Sequence, residues 1–145
     1  MESDGAALQR FVVAQDAAGT YDRALAELRR GEKSSHWMWF VLPQVAGLGQ
    51  SPTARRFAVS GLDEARAYLD HPVLGPRLLD CVDALSGLPG NDPVAVLGGI
   101  DAVKLRSSMT LFARAATDPA LRQRFTAVLD QYFEGAEDPA TVALL

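Results

Sequence analysis

The sequence predicts an all-α fold: a compact multi-helical single domain of about seven to nine helices, several of them short. Four times a capping residue stands directly before a proline, at Ser51-Pro52, Asp92-Pro93, Asp118-Pro119 and Asp138-Pro139. That pair sets an N-cap oxygen ahead of a proline at the first helical position, where the missing N–H costs nothing. Apolar residues recur at helical intervals along much of the chain. Strand signals are poor, with no clear alternating β-branched run and no Asn-Gly or Asp-Gly dipeptide set between two such runs.

Taken in order, residues about 5–17 carry Leu8, Phe11, Val12 and Gln15 at helical spacing. Thr20 is placed to cap a second helix that runs to about Arg30, with Gly31 as its C′ residue. Residues 35–40 read as a short helix or a buried extended run, and Pro43 limits any helix before it. Helices are expected at about 52–59, 62–70, 73–86, 93–97, 101–116, 119–133 and 139–144. Ser60 with Asp63 gives the 62–70 helix a box-like start. Cys81 is in line with Leu74, Leu78 and Leu85 and is expected in the core, and His71, before Pro72, is read as a turn residue. The pairs Asp63/Glu64, Asp80/Asp83 and Glu137/Asp138 read as solvated faces or caps.

Composition narrows the function. The chain has 145 residues, 48% of them hydrophobic, enough for one globular core. A net charge of −4 argues against general nucleic-acid binding. It is compatible with a local cationic pocket for a small anionic ligand. No apolar run reaches the ~20 residues of a membrane span. The opening MESDGAALQRF has none of the features of a signal peptide, so a cytoplasmic location is expected. One cysteine and two distant histidines leave no disulfide within the chain and no sensible zinc set. No metal and no cofactor are expected. The state expected is a monomer or a weak homodimer, with Leu144 and Leu145 either anchoring the C-terminal helix or contacting a second copy.

Three regions carry chemistry. Lys33 to Gln44 holds both tryptophans, Trp37 and Trp39, beside Lys33, Ser35, His36 and Gln44. An indole beside a cation and hydroxyl donors suits a stacked base and a phosphate; equally, the aromatics fill the core while Lys33 and His36 cover its edge. Gly47-Leu48-Gly49-Gln50-Ser51-Pro52 leads into a helix, so Gly47, Gly49 and Ser51 are candidates to approach an anion or to form an ordinary turn and cap. It is neither a Walker loop nor a dinucleotide fingerprint. The helix from about Asp101 buries Leu105, Met109 and Phe112, which sets Asp101 and Ser108 beside the buried face and Lys104 at its margin. Polar groups there are paired, or they line a cavity together with Ser107.

The strings KSSHWMWFVLPQ, AGLGQSP, HPVLGPRL and KLRSSMTLF resemble domain-of-unknown-function family 1810, and the likeness runs from about Leu8 to Leu145. The resemblance implies a small, helical, largely bacterial protein with no assigned activity. The calpastatin-like label sometimes attached to that family does not suit a compact apolar chain. Because its signature strings include 33–44 and 101–112, the resemblance also implies that these segments meet at one site. The expectation is therefore a pocket for a phosphate-bearing, nucleotide-like ligand. Lys33 and the Gly47–Ser51 loop would hold the anion, Trp37 or Trp39 would stack a ring, Asp101 or His36 would do acid–base work, and Lys104 would tune Asp101 or hold a second anion. If a bond is cleaved, the N-glycosidic bond of an ADP-ribose-like compound is the first expectation, with Asp101 as the carboxylate. The alternative is a non-catalytic interaction module that presents the Trp-rich segment as a contact patch.

Overall fold

The computed structural model describes residues 2–145, with side chains from residue 6 onward. The described residues are all-α, as the sequence predicts. Six longer helices carry the core: α1 (Glu2–Asp16), α2 (Thr20–Arg30), α5 (Leu62–Asp70), α6 (Leu74–Ser86), α8 (Gly99–Ala115) and α9 (Pro119–Phe133). Four short ones punctuate the loops: α3 (Met38–Val41), α4 (Pro52–Arg56), α7 (Pro93–Leu97) and α10 (Pro139–Ala143). Among the described residues the only β pairing is an isolated parallel bridge from Val45 to Val59. It ties the loop after α3 to the segment after α4.

The 17-residue helix α8 is the spine, packing on α9, α5, α7 and α10. Its predicted stripe of Leu105, Met109 and Phe112 is wholly buried. An aromatic ladder crosses the core through it: Phe11 meets Tyr68 edge-on at 5.2 Å, Tyr68 meets Phe112 at 5.2 Å, and Phe112 stacks on Phe125 at 5.8 Å. Cys81 lies in the same interior, and burial pushes its thiol up to about 12, which makes it inert.

Helix ends follow the predicted chemistry in most places. Ser51, Asp92 and Asp138 each accept a hydrogen bond from the first turn behind a proline at N1. Asp118 precedes its proline but makes no side-chain cap, and α4 stops at Arg56, short of the expected span. Thr20 is not the N-cap of α2. The left-handed Gly19 takes that position, and the Thr20 hydroxyl turns back to donate to Ala17 O at 2.6 Å. The box expected from Ser60 and Asp63 is also replaced: Glu64 accepts from the Ser60 N–H at 3.0 Å while pairing with Arg10 at 3.2 Å. Glu64 is thereby buried, not part of a solvated face. Gly31 ends α2 with φ 82°, its N–H on Glu27 O and Leu28 O.

Candidate functional site

The junction between α2, the 32–37 loop and α8 is built around one acid that sequence patterning passes over. Glu27, on α2, is buried and accepts four hydrogen bonds. Its Oε1 takes Ser34 N–H (2.8 Å), Ser35 N–H (3.1 Å) and the Trp37 indole N–H (2.9 Å), and its Oε2 takes the Ser35 hydroxyl (2.6 Å). Burial alone would raise its pKa. The bonds from Ser35, Ser34 and Trp37 outweigh that and hold it down to about 2.

Glu27 thus folds the loop back so that Lys33 points at α8. The Lys33 ammonium lies 2.8 Å from Asp101 Oδ2, donates to Ser35 O at 2.5 Å and sits 5.0 Å from the Trp37 ring centroid. Lys104 reaches the other oxygen of Asp101 at 3.5 Å and lies 4.8 Å from the Trp39 ring centroid. The groups alternate as indole, ammonium, carboxylate, ammonium, indole. Segment 33–44 and the start of α8 therefore meet here.

On the far side of Lys104 a cleft of about 430 Å³ opens. One wall is a stripe of α8, Ile100, Val103, Lys104 and Ser107, at the i, i+3, i+4, i+7 spacing of a helix face. The other is the loop after α3, through Gln44, Leu48 and Gly49, and the start of α10 closes one end with Asp138 and Ala140. Asp138 is firmly held. Its Oδ2 accepts the hydroxyls of Ser107 (2.7 Å) and Thr141 (2.6 Å), and its N–H donates to Thr110 Oγ1 (2.9 Å). Arg106 grips the carbonyls of Ala136 (2.9 Å) and Glu137 (2.7 Å) just before it. Burial opposes ionisation of Asp138, and the hydrogen bonds from Thr141 and Ser107 prevail, so its pKa is lowered.

Of the expected site residues, Gln44, Gly49, Lys104 and Ser107 line this cleft. The others are placed differently. Trp37 is at 0% exposure with its N–H on Glu27, so its ring is a core element and not a stacking platform. Trp39 is half-buried and stands behind Lys104 without lining the cleft. The Lys33 side chain is 8% exposed and committed to Asp101, and the Ser35 hydroxyl is committed to Glu27, so neither meets a ligand in the cleft. Asp101 has an ammonium on each oxygen, which leaves it poorly placed for acid–base work. His36 is exposed and does not line the cleft. Gly47, at φ 104°, packs where an added Cβ would meet the Leu144 side chain at 3.2 Å, and Ser51 caps α4. Ser108 is wholly buried in the interior, its hydroxyl without a partner among the described residues. Sequence reasoning missed Glu27, Leu48, Ile100 and Val103, and read Asp138 only as a cap. The available signals were the need of a buried indole N–H for an acceptor and the α8 spacing itself.

The HPVLGPRL string has a structural explanation. His71 Nδ1 accepts the N–H groups of Val73 (3.1 Å) and Leu74 (3.2 Å), and an added Cβ at Gly75 would fall 2.3 Å from Leu69 O. That segment packs the α5–α6 turn tightly.

Fold and site together define a small all-helical protein with a largely apolar cleft, lined by one lysine and one aspartate, beside its central helix. The chain belongs to the family described as protein of unknown function DUF1810, which matches residues 5–145. It is similar to a conserved hypothetical protein, Rv1873, from Mycobacterium tuberculosis, whose crystal structure superposes with a TM-score of 0.89 at 50% identity over 95% of each chain. No curated protein matches the chain. No helix among the described residues is long and apolar enough to cross a membrane, and no cluster of metal-ligating side chains occurs among them.

Proposed function

We propose that the protein binds a small phosphate-bearing, nucleotide-like molecule in the cleft between the loop after α3 and α8. One observation carries this reading: two ammonium groups share the single carboxylate of Asp101, and the more weakly paired of them lines the cleft. Lys33 holds Asp101 at 2.8 Å, whereas Lys104 stands at 3.5 Å, so the excess positive charge resides at Lys104. A phosphate there meets an ammonium already oriented by Asp101 and the Trp39 face. Leu48, Ile100 and Val103 supply apolar walls for a ring, and the Gln44 amide supplies a directional donor and acceptor.

The hydrolytic form of this reading, cleavage of an N-glycosidic bond, passes from Asp101 and His36 to Asp138. A glycosidase needs a carboxylate beside the anomeric carbon, and Asp138 is the carboxylate lining the cleft among the described residues. Chromatography of ADP-ribose after prolonged incubation decides it: free adenine supports hydrolysis, and unchanged compound leaves binding as the function.

Binding is tested by thermal unfolding with AMP, ADP-ribose and inorganic phosphate. A ligand at one hundred times its Kd stabilises the fold by about 2.7 kcal/mol, a shift of several degrees. Stabilisation is expected for the unaltered chain and should disappear in Lys104→Ala. The unliganded midpoint of that variant should fall only slightly, since a partly exposed pair contributes about 1 kcal/mol or less.

One observation favours a second reading, a non-catalytic interaction module. Ile100 and Val103 are 78% and 64% exposed on the cleft rim, although the Trp-rich segment expected to form such a patch is largely interior. A midpoint unmoved by every phosphate compound overturns the binding proposal and favours this one.

A further inference from the structure

The two ends of the cleft differ in charge, and that difference restricts what an anionic ligand presents to each. Lys104 donates at one position along α8. Three residues on, Ser107 and its partner Asp138 offer only acceptors. The Ser107 hydroxyl has one proton and two acceptors within reach, Val103 O at 3.2 Å and Asp138 Oδ2 at 2.7 Å. The shorter contact to the carboxylate takes the proton, which leaves the Ser107 oxygen free to accept. Asp138 Oδ2 is filled by the hydroxyls of Ser107 and Thr141, whereas Oδ1 holds a long 3.3 Å bond from Ala140 N–H, and the Thr141 N–H is also directed at the carboxylate. Ser107, 2% exposed, and Asp138, half-buried, both line the cleft, so Ser107 Oγ and Asp138 Oδ1 are the acceptors this end offers it. A phosphate oxygen is repelled there, and a lone apolar group would leave both oxygens unsatisfied.

We infer that Ser107 and Asp138 receive two neighbouring hydroxyls of a sugar, one on each oxygen, so that the cleft takes ribonucleotide-like phosphates in preference to deoxyribonucleotide-like ones. This inference rests on the phosphate-binding reading of the same cleft. The acceptors are set before any ligand arrives. Thr110 fixes the backbone of Asp138, Arg106 fixes the two carbonyls before it, and Thr141 fixes its carboxylate. A ligand diol then forms its bonds without ordering the site. The spacing along α8 places the phosphate at Lys104 and the sugar at Ser107, one helical turn apart, with Ile100 and Val103 beside them for the base.

The test is titration calorimetry on the full chain with AMP, 2′-deoxy-AMP, 3′-deoxy-AMP and inorganic phosphate. Each deoxy compound is expected to bind about tenfold to a hundredfold more weakly than AMP, the effect of losing one hydrogen bond to a charged or charge-coupled acceptor. Asp138→Asn keeps a capping side chain at α10 but should bring the AMP to 3′-deoxy-AMP ratio towards one. Ser107→Ala should do the same to the AMP to 2′-deoxy-AMP ratio, and it keeps the assignment testable should the first variant fold poorly. Equal binding of all three nucleotides to the unaltered chain overturns the sugar assignment while leaving phosphate binding intact. Absence of binding by every compound, inorganic phosphate included, overturns both.

Discussion

Two tryptophans stand two positions apart in one short segment and have opposite surroundings. Trp37 is sealed, with its N–H on Glu27 and the Lys33 ammonium over its ring. Trp39 is half-buried, with the Lys104 ammonium over its ring and the cleft beyond that ammonium. On the sealed side almost every polar atom already has a protein partner. On the open side Lys104, Ser107 and Asp138 line an apolar-walled space. The same residue types, an indole beside a lysine, serve packing in one case and frame a candidate site in the other. What separates them is whether the lysine over the indole is enclosed, as Lys33 is, or lines a cleft, as Lys104 does.

The sealed side is broken most severely at Glu27. Glu27→Ala strands the Ser34, Ser35 and Trp37 donors in a buried place. A loss of about 3 to 5 kcal/mol is expected, read as the shift of the urea unfolding midpoint. A loss under about 1 kcal/mol would mean that water satisfies those donors and that Glu27 does not organise the loop.

Acid probes the same residue. Its folded pKa of about 2 lies below the ordinary 4.5, so its contribution is fully present above about pH 4.5. That contribution should be lost progressively as pH falls towards 2, because the unfolded chain takes up the proton first. Stability measured against pH should therefore decline across this window in the unaltered chain, and the decline should be shallower in Glu27→Gln.

Lys33→Met comes next. It keeps the length of the side chain but leaves Asp101 with the longer Lys104 pair alone. About 2 to 3 kcal/mol of destabilisation is expected, less than for an acid stripped of every partner because Lys104 can close on Asp101. The double variant Lys33→Met with Asp101→Asn should recover part of the loss. No recovery would show that the two side chains act independently.

The smallest effect is expected at Ser108. Its buried hydroxyl has no partner among the described residues. Ser108→Ala should be neutral or stabilising by up to about 1 kcal/mol in the same unfolding measurement. Clear destabilisation would mean that the hydroxyl has a partner, such as a buried water.

Much of the helical frame was legible in the chain because it depends on local chemistry. Prolines behind Ser51, Asp92 and Asp138 mark real starts, and the Leu105, Met109, Phe112 stripe is as buried as its spacing requires. The site was legible in part. Lys33, Asp101 and Lys104 do come together, as the two signature segments suggested. The groups that were not legible depend on contacts between distant positions. Glu27 looks like an ordinary charge on an exposed helix until the chain returns ten residues later with an indole N–H. Asp138 reads as a cap, and it is one, but its other oxygen meets Ser107 across 31 residues. Leu48, Ile100 and Val103 carry no chemical signal of their own, and only the cleft between them gives them a meaning.

The central claim is that the open side binds and the sealed side only holds. A ¹⁵N-resolved NMR titration of the full chain with AMP tests it in one measurement. The expected result is progressive movement of the Gly49, Lys104 and Ser107 amides while the Trp37 indole N–H stays in place. Movement of no cleft amide at millimolar AMP, or movement led by the Trp37 indole, would contradict it.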